Sequence, residues 1–286
     1  MPQIASQTGP QTGRIAFQGE PGAYMHQACR QSRPKMEVVP CATFEEVIDM
    51  VRNGGADLGM LAVENSTYGR IADVHTLLPQ SGLFIVDESF VRVHINLLAV
   101  KGAKLEDVTR VRAMSILHGQ ARAFIKKHKL ATINWHDNAA AAREVAALGD
   151  MAEGAFASEL AGEIYGLDVL ARHIEDQANN TTRFLVMSRE LDHVRRADHM
   201  ITTFVFRVRN IPAALYKAMG GFATNGVNMT KLESYMIGGS FTATEFYADI
   251  EGHPDDANVQ RALEELAYFT SHLQILGVYP ADRRRG

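Results

Sequence analysis

Apolar positions fall into short runs broken by polar turns, and the runs alternate between strand and helix lengths. Arg14 to Gln18 reads as a strand that ends in the turn Gly19-Glu20-Pro21-Gly22 and leads into a helix from Ala23 to Gln31. Glu37 to Pro40 reads as a second strand. Thr43, with Glu46 three residues on, forms a capping box that opens a helix with Val47, Ile48 and Val51 on its apolar face. Asp57 to Val63 reads as a third strand, Glu64 to Gly69 as a polar turn and Ile71 to Leu78 as a third helix. Strand, turn and helix thus recur, the grammar of an α/β fold.

From Gly82 to Val100 the chain carries Phe84, Ile85, Val86, Val91, Val93 and Ile95 with few helix signals, which predicts a pair of long strands crossing between lobes. Val111 to Ile116 leads into a helix from about Gln120 to His128, and Thr132 to Trp135 reads as a strand. Asp137-Asn138 caps an alanine-rich helix from Ala139 to Leu148, followed by a strand over Glu153 to Ser158 and a helix over Glu159 to Tyr165. Two α/β lobes joined by long strands predict a cleft, with ligand where strand ends meet helix starts.

The character changes after Ser188. Arg189 to Met200 is densely charged and reads as a linker. Beyond it come an alternating strand over Thr202 to Val208, a helix over Pro212 to Thr224 with Leu215 and Met219 inward, and a strand over Asn228 to Ile237. A Gly238-Gly239 turn, a strand over Phe241 to Ile250, a helix over Asp255 to Phe269 and a strand over Leu273 to Val278 follow. The order βαββαβ predicts a ferredoxin-like domain. The expected organisation is a tail over 1–13, a two-lobed domain over 14–188, a linker over 189–200 and a second domain over 201–286.

Composition narrows the function. The 286 residues are 46% hydrophobic and carry 29 basic against 33 acidic side chains, a net charge of −4, which excludes disordered and collagen-like chains. No basic stripe exists to replace the counterions of a nucleic acid, and Arg283 to Arg285 reads as a solvated tail. Cys29 and Cys41 make neither a disulfide framework nor a zinc spacing, which fits a reducing compartment. The first 13 residues lack the apolar core of a secretory signal, and no apolar run reaches 18 residues, so the expected location is the cytoplasm, with no membrane partner.

The signatures of phosphate-cradling, dinucleotide, zinc-hydrolase and serine-hydrolase sites are absent, so no cofactor and no metal are expected. Polar clusters remain at the junctions: Gly19 to Tyr24, Glu64 to Gly69, His118 to Gln120, Asp137-Asn138 and Asn180 to Phe184. Helix starts present free N–H groups, so converging junctions suit a small organic acid. Taken singly, each has two readings. Thr182 beside Arg183 is a hydroxyl donor poised by a cation or a satisfied turn. Glu64-Asn65-Ser66 orients a substrate or caps a helix, and His118 with Gln120 is a general base or a helix-start pair. His75, His94, His128, His193 and His272 are scattered without ligand spacing, and Trp135, Phe204 and Phe206 read as core.

In combination these clusters resemble the prephenate dehydratase family, from about Arg14 to Pro280. The family's glycine-rich opening is similar to Gly19-Glu-Pro-Gly-Ala-Tyr24. Its Glu-Asn-Ser-x-x-Gly motif is similar to Glu64-Asn65-Ser66-Thr-Tyr-Gly69, and its Asn-x-Thr-Arg-Phe motif to Asn180-Thr-Thr182-Arg183-Phe184. The histidine motif is partial: His118-Gly-Gln120-Ala121 has Leu117 and Gly119 where Ser and Pro are usual, and Phe124-Ile125 replaces the Gln-Cys that follows. The C-terminal segment is similar to an ACT regulatory domain, with Ala213-Ala214-Leu215 for Gly-Ala-Leu and Glu233-Ser234-Tyr235-Met236 for Glu-Ser-Arg-Pro.

The resemblance implies a two-lobed, periplasmic-binding-protein-like catalytic domain plus an ACT domain, and a cofactor-free lyase making phenylpyruvate from prephenate. It implies that Thr182 assists the leaving hydroxyl, that Arg183 holds a carboxylate or the local field, and that Phe184 packs the site. Glu64 is a catalytic acid if its pKa is raised, and otherwise positions Asn65 and Ser66. Ala23, Tyr24, Asn65, Ser66, Gly69, His118, Gln120 and Asn180 are the implied substrate contacts. Ala213, Ala214, Leu215, Asn225, Asn228, Glu233 and Ser234 are the implied site for inhibitory L-phenylalanine, shared between subunits of a homodimer or homotetramer. An arogenate dehydratase and a non-catalytic aromatic-acid sensor are the alternative readings.

Overall fold

The computed structural model describes residues 11–192, 196–236 and 243–285. In chain order it contains β1 (Arg14–Gln18), α1 (Tyr24–Ser32), β2 (Glu37–Cys41), α2 (Phe44–Arg52), β3 (Leu58–Asn65), β4 (Gly69–Arg70) and α3 (Ala72–Leu77). There follow β5 (Phe84–Arg92), β6 (Asn96–Ala99), β7 (Arg110–Ala113), α4 (Ser115–Gln120), α5 (Arg122–His128), β8 (Ala131–Asn134), α6 (Asn138–Leu148), β9 (Glu153–Ala157), α7 (Glu159–Tyr165) and β10 (Asp168–Ala171). The chain continues through β11 (Thr181–Ser188), β12 (Met200–Val208), α8 (Ala214–Thr224), β13 (Met229–Met236), β14 (Ala243–Glu251), α9 (Ala257–Phe269) and β15 (Thr270–Pro280). The expected tail over 1–10, the middle of the linker (193–195), the Gly238-Gly239 turn and the first two residues of the Phe241 strand lie outside the described residues.

The fold divides into two compact units, one of Gln11–Val74 with Ser89–Phe184, the other including His75–Glu88 with Leu185–Gly286. The first unit holds two α/β lobes. In one, β2, β1, β3 and β11 lie side by side, with β1 parallel to both β2 and β3. Leu58–Val63 of β3 are all buried, as a parallel strand covered on both faces requires. Thr43 accepts the Glu46 N–H at 3.2 Å while the Glu46 carboxylate accepts the Ala42 N–H at 2.7 Å, and the helix so started buries Val47, Ile48 and Val51. The other lobe is a five-stranded sheet, β10-β6-β9-β7-β8. Its alanine-rich α6 packs closely on Leu98, Ala155 and Ala157, because small side chains let helix and sheet approach.

Within this unit the chain crosses between lobes twice, through 93–95 and through 172–180, and the crossings are tied to each other. Val93 N–H donates to the Asn180 carbonyl at 2.9 Å, and Ile174 N–H to the Ile95 carbonyl at 2.9 Å.

Several expectations need correction. The helix after β7 starts at Ser115, not near Gln120, and breaks at Ala121, so His118 and Gln120 lie in the last turn of a short helix rather than at a helix start. Strand β10 has no counterpart among the expected elements, because four residues that are nowhere fully buried leave no apolar run. Trp135 is half-buried, with the Arg112 guanidinium 5.2 Å from its ring centroid.

In the second unit, β12-α8-β13-β14-α9-β15 has the predicted βαββαβ order, and its strands lie β13-β14-β12-β15, the ferredoxin-like arrangement. Phe204, Phe206, Phe222 and Phe246 form its core. On α8 it is Ala218 and Phe222 that are buried, while Leu215 and Met219 are only half-buried. Residues 75–88, which include the first half of β5, belong here because Ile85 pairs with Gly277 of β15 and because Glu88 is held by Asp282 and Arg285 near the chain's end. Arg285 is no solvated tail: its guanidinium donates to Glu88 at 2.7 Å and to Asp249 at 2.6 Å, both carboxylates fully buried. Thr203 joins the network, donating to Asp249 at 2.7 Å with the Tyr279 hydroxyl 2.7 Å away. Among the described residues no helix is long and apolar enough to cross a membrane, and Cys29 and Cys41 are free, buried thiols.

Ala213, the N-cap of α8, sits at φ +62°, where a Cβ crowds the backbone and glycine does not. Ala213→Gly is expected to raise the unfolding free energy by about 0.5–1 kcal/mol, strain relief exceeding the entropy that glycine adds to the unfolded chain. Equilibrium denaturation reads this directly, and an unchanged or lower midpoint refutes it.

Candidate active site

The first unit encloses a cavity of about 490 Å³, within the range of small-molecule sites. Its walls come from the ends of β3 and β11, the start of α1, the turn before β4, helix α4 and the starts of α6 and α7.

The β3 and β11 ends form a polar junction. Asn65 Nδ2 donates to Asn180 Oδ1 at 2.7 Å and to Thr182 Oγ1 at 3.0 Å, while Asn65 Oδ1 accepts the Thr67 and Tyr68 N–H groups at 2.9 and 3.1 Å. Ser66 pairs with the same strand: its N–H donates to the Thr181 carbonyl at 2.9 Å and its hydroxyl to the Asn179 carbonyl at 2.8 Å. Side chains alternate across a strand, so Thr182 and Phe184 face the cavity and Arg183 faces away. Arg183 is 3% exposed and donates to Glu64 at 2.8 Å, an ion pair on the opposite face.

The α1 start supplies the second wall. No side chain caps this nine-residue helix, and Ala23 and Tyr24 line the cavity. Gly22 has φ +97°, and a Cβ there would meet the Ala161 Cα at 2.7 Å, so glycine alone lets the turn close onto α7. The closure is fixed by Ser158, which donates to the Gly22 carbonyl at 2.5 Å, by Tyr165, which donates to the Pro21 carbonyl at 2.8 Å, and by the Arg143–Glu20 ion pair at 2.7 Å. The Gly22 N–H donates to His26 Nδ1 at 3.0 Å, and burial, with Arg30 nearby, holds that imidazole below its ordinary pKa and neutral. On another side, Tyr68 donates to the Ile116 carbonyl at 3.3 Å and so ties the two lobes.

Of the substrate contacts expected from sequence, the cavity brings together Ala23, Tyr24, Asn65, Gly69, Gln120, Asn180, Thr182 and Phe184. It does not bring in Glu64, Ser66, His118 or Arg183. His118 turns into the core against Phe156 and donates through Nδ1 to Asn134 Oδ1 at 3.3 Å, and burial lowers its pKa. The Tyr24 hydroxyl is committed to the His94 carbonyl at 2.9 Å. Burial and then the Glu175 carboxylate push its pKa far up, so it stays neutral. Tyr68, Asp137 and Asn138, which the polar junction clusters contain without an assigned role, also line the cavity, as does Arg70, which has no signal in the sequence.

The unmet polar atoms indicate what the cavity can do. Asn180 Nδ2 and Gln120 Oε1 are buried without a hydrogen-bond partner among the described residues, a donor and an acceptor left for a ligand. Thr182 Oγ1 accepts from Asn65, which leaves the hydroxyl proton to be donated into the cavity. Asp137 Oδ1 accepts the Ala140 N–H at 2.8 Å, but burial outweighs the helix-start N–H groups and raises its pKa. Surrounded by apolar wall, these few groups suit orienting an organic acid and delivering one proton.

A family model described as prephenate dehydratase matches residues 15–192. The chain is 49% identical over 269 residues to a bifunctional N-acyl-homoserine lactone acylase/prephenate dehydratase of Komagataeibacter europaeus, covering 94% of this chain and 96% of that one. It is 36% identical over 283 residues to arogenate dehydratase/prephenate dehydratase 1, chloroplastic, of Arabidopsis thaliana, covering 94% of this chain and 72% of that one. The crystal structure of prephenate dehydratase in complex with L-Phe from Arthrobacter aurescens superposes with a TM-score of 0.84 at 28% identity, covering 94% of this chain and 90% of that one.

Two outcomes follow from the geometry. Asn65→Ala removes the amide that joins Asn180, Thr182 and the turn after β3, and is expected to cost about 2 kcal/mol by chemical denaturation; a loss within error shows that the junction is not held this way. His118 has a lowered folded-state pKa, so its contribution to stability is full above about pH 6.5 and is lost as pH falls below it. His118→Gln should flatten the drop in melting temperature between about pH 7.5 and about pH 5.5, and an unaltered slope would assign the drop to other groups.

Proposed function

Because the chain belongs to the prephenate dehydratase family, we propose that it converts prephenate to phenylpyruvate, carbon dioxide and water. The bond between the ring and its carboxylate breaks, the released electron pair enters the ring, and the ring hydroxyl departs as water after taking a proton. Aromatisation drives the reaction, so the protein has only to orient the two carboxylates and supply that proton. The observation that carries this reading is the Thr182 hydroxyl: it is held by Asn65 and keeps its own proton for the cavity.

In this reading Thr182 assists the leaving hydroxyl and Phe184 packs beside the ring. Asn180 Nδ2, the α1 start from Tyr24 onward, and Arg70 take the substrate's carboxylates, while Ala23, whose N–H donates to the Glu20 carbonyl at 3.0 Å, packs the wall. Arg183 and Glu64 are positioning residues that fix the strand ends from behind. His118 and Ser66 act through the fold, whereas Gln120 and Gly69 belong to the cavity wall.

A second reading has its own observation. Arogenate carries an ammonium where prephenate has a keto oxygen, and the Asp137 carboxylate on the cavity wall is a counter-charge for it. The chain then accepts both acids, and Asp137→Asn lowers kcat/KM for arogenate about ten-fold more than for prephenate.

We further assign residues 201–286 to an ACT domain that takes L-phenylalanine between subunits of a homo-oligomer. Support comes from the βαββαβ order and from the exposed apolar side chains Tyr216, Leu232 and Met236, the last two on an edge strand that a second copy can cover. Ala213, Ala214, Leu215, Asn228, Glu233 and Ser234 are the proposed contacts. Asn225 is instead committed to Gly221, Glu265 and Arg261 and holds α8 to α9. Two unbridged cysteines suit a cytoplasmic enzyme.

The test is product formation by the purified chain from prephenate, arogenate and an N-acyl-homoserine lactone, with and without phenylalanine. Phenylpyruvate from prephenate, at least ~10²-fold slower with Thr182→Ala and largely retained with Thr182→Ser, supports the assignment. Near-normal turnover by Thr182→Ala removes Thr182 from its role, and lactone cleavage alone, or binding without turnover, overturns the dehydratase reading. Phenylalanine should inhibit without competing with prephenate, and purely competitive inhibition refutes the regulatory site.

A further inference from the structure

His94 and His173 are 79 residues apart, and nothing in their spacing suggests a common site. In the fold they meet. Their imidazole rings stack with centroids 4.0 Å apart and planes 13° from parallel, and His94 Nδ1 lies 3.0 Å from Glu175 Oε1. One ligand atom from each of His94, His173 and Glu175 falls within 4.8 Å of the other two. We propose that these three side chains form a divalent transition-metal site that clamps the two inter-lobe crossings of the first unit.

The position gives the site a purpose. His94 lies on the first crossing and His173 with Glu175 on the second, and the two are already joined by the Ile174–Ile95 hydrogen bond and by Ile95 N–H donating to Glu175 Oε2 at 2.9 Å. The Glu175 side chain is 5% exposed, which fixes one carboxylate as an anchor, while His173 is exposed and its ring can turn without moving the backbone. His173 also holds φ +52°, a left-handed conformation that histidine adopts more readily than most residues, and its imidazole lies over that of His94.

Two imidazoles and one carboxylate, with water completing the shell on the exposed side, suit Zn2+, Co2+ or Ni2+ better than the oxygen-seeking Ca2+ or Mg2+. None of the three side chains lines the cavity that holds Thr182, and an ion there has no part in the proposed reaction. A cation there cross-links the crossings about which the lobes open, so its effect is on lobe motion.

The test uses the untagged full chain, stripped of metal and titrated with Co2+ and, in competition, with Zn2+. One ion per chain, micromolar or tighter, with the visible absorption of nitrogen-ligated Co2+, is expected. Zn2+ should slow amide exchange at 93–95 and 172–176. Glu175→Gln keeps an acceptor for the Ile95 N–H, and His173→Asn tolerates the left-handed backbone; each should weaken binding at least ~10-fold. His199→Ala, an exposed histidine elsewhere, should leave it unchanged. Absent Co2+ absorption, or equal binding by His173→Asn, overturns the proposal whether or not the chain turns over prephenate.

Discussion

The first unit's site depends on one amide. Asn65 stands at the end of β3 with its donor side spent on Asn180 and Thr182 and its acceptor side on the next turn, so one side chain sets the register of β3 against β11 and the path of Thr67 and Tyr68. A carboxylate of the same shape has no protons to give Asn180 and Thr182, and an aliphatic side chain satisfies neither strand. Behind this junction the Arg183–Glu64 pair repeats the tie on the opposite face. A strand pair stitched on both faces is stiff where a reacting group must be held, and a misplacement of about 1 Å in such a site can cost about 10²-fold in rate.

Rigidity there contrasts with the way the lobes are joined. The turn before α1, Tyr68 and the two crossings are contact points between the sheets of that unit; Tyr68 rests on a single hydrogen bond, whereas the crossings also bury Val93, Ile95 and Ile174 in the apolar core of the five-stranded lobe. Few buried contacts mean low local stability, so the exposed Tyr68 tie is the one that opens at least cost while the crossings stay in place. Gly22 is the exception. Its approach to Ala161 leaves no room for a methyl group, so the α1 start is pinned even where the lobes are loosely tied.

Much of this was legible in the sequence, since burial imposes periodicity. The capping box at Thr43, the Asp137 cap, the βαββαβ order and the cavity positions of Asn65, Thr182 and Phe184 all rest on local rules: caps, alternation and junctions. A contiguous motif invites a contiguous role for Arg183, although period-two alternation already puts it on the face opposite Thr182, where it can act on the local field but not touch a ligand in the cavity. Gly119 and the break at Ala121 divide one apolar stretch into two short helices, which hides the helix start at Ser115 from the pattern. The partners of Arg285 and of His94 lie up to 197 and 81 residues away, and no local pattern records such a pairing.

The inward turn of Arg183 changes the electrostatics of the proposed reaction. Had it faced the substrate, a full positive charge would have bound the ring carboxylate most tightly before decarboxylation, when the charge is most localised, and so deepened the ground state. Paired with Glu64 behind the strand, it leaves the β11 wall to neutral donors, the Thr182 hydroxyl and Asn180 Nδ2, while Arg70 lies at β4 on another part of the cavity wall. Fixed dipoles in a mostly apolar cavity hold a carboxylate less tightly than an arginine does, and they need not reorganise as its electrons pass into the ring. The Asn65 amide and the Arg183–Glu64 pair therefore act together, one aiming the hydroxyl and the other keeping charge away from it.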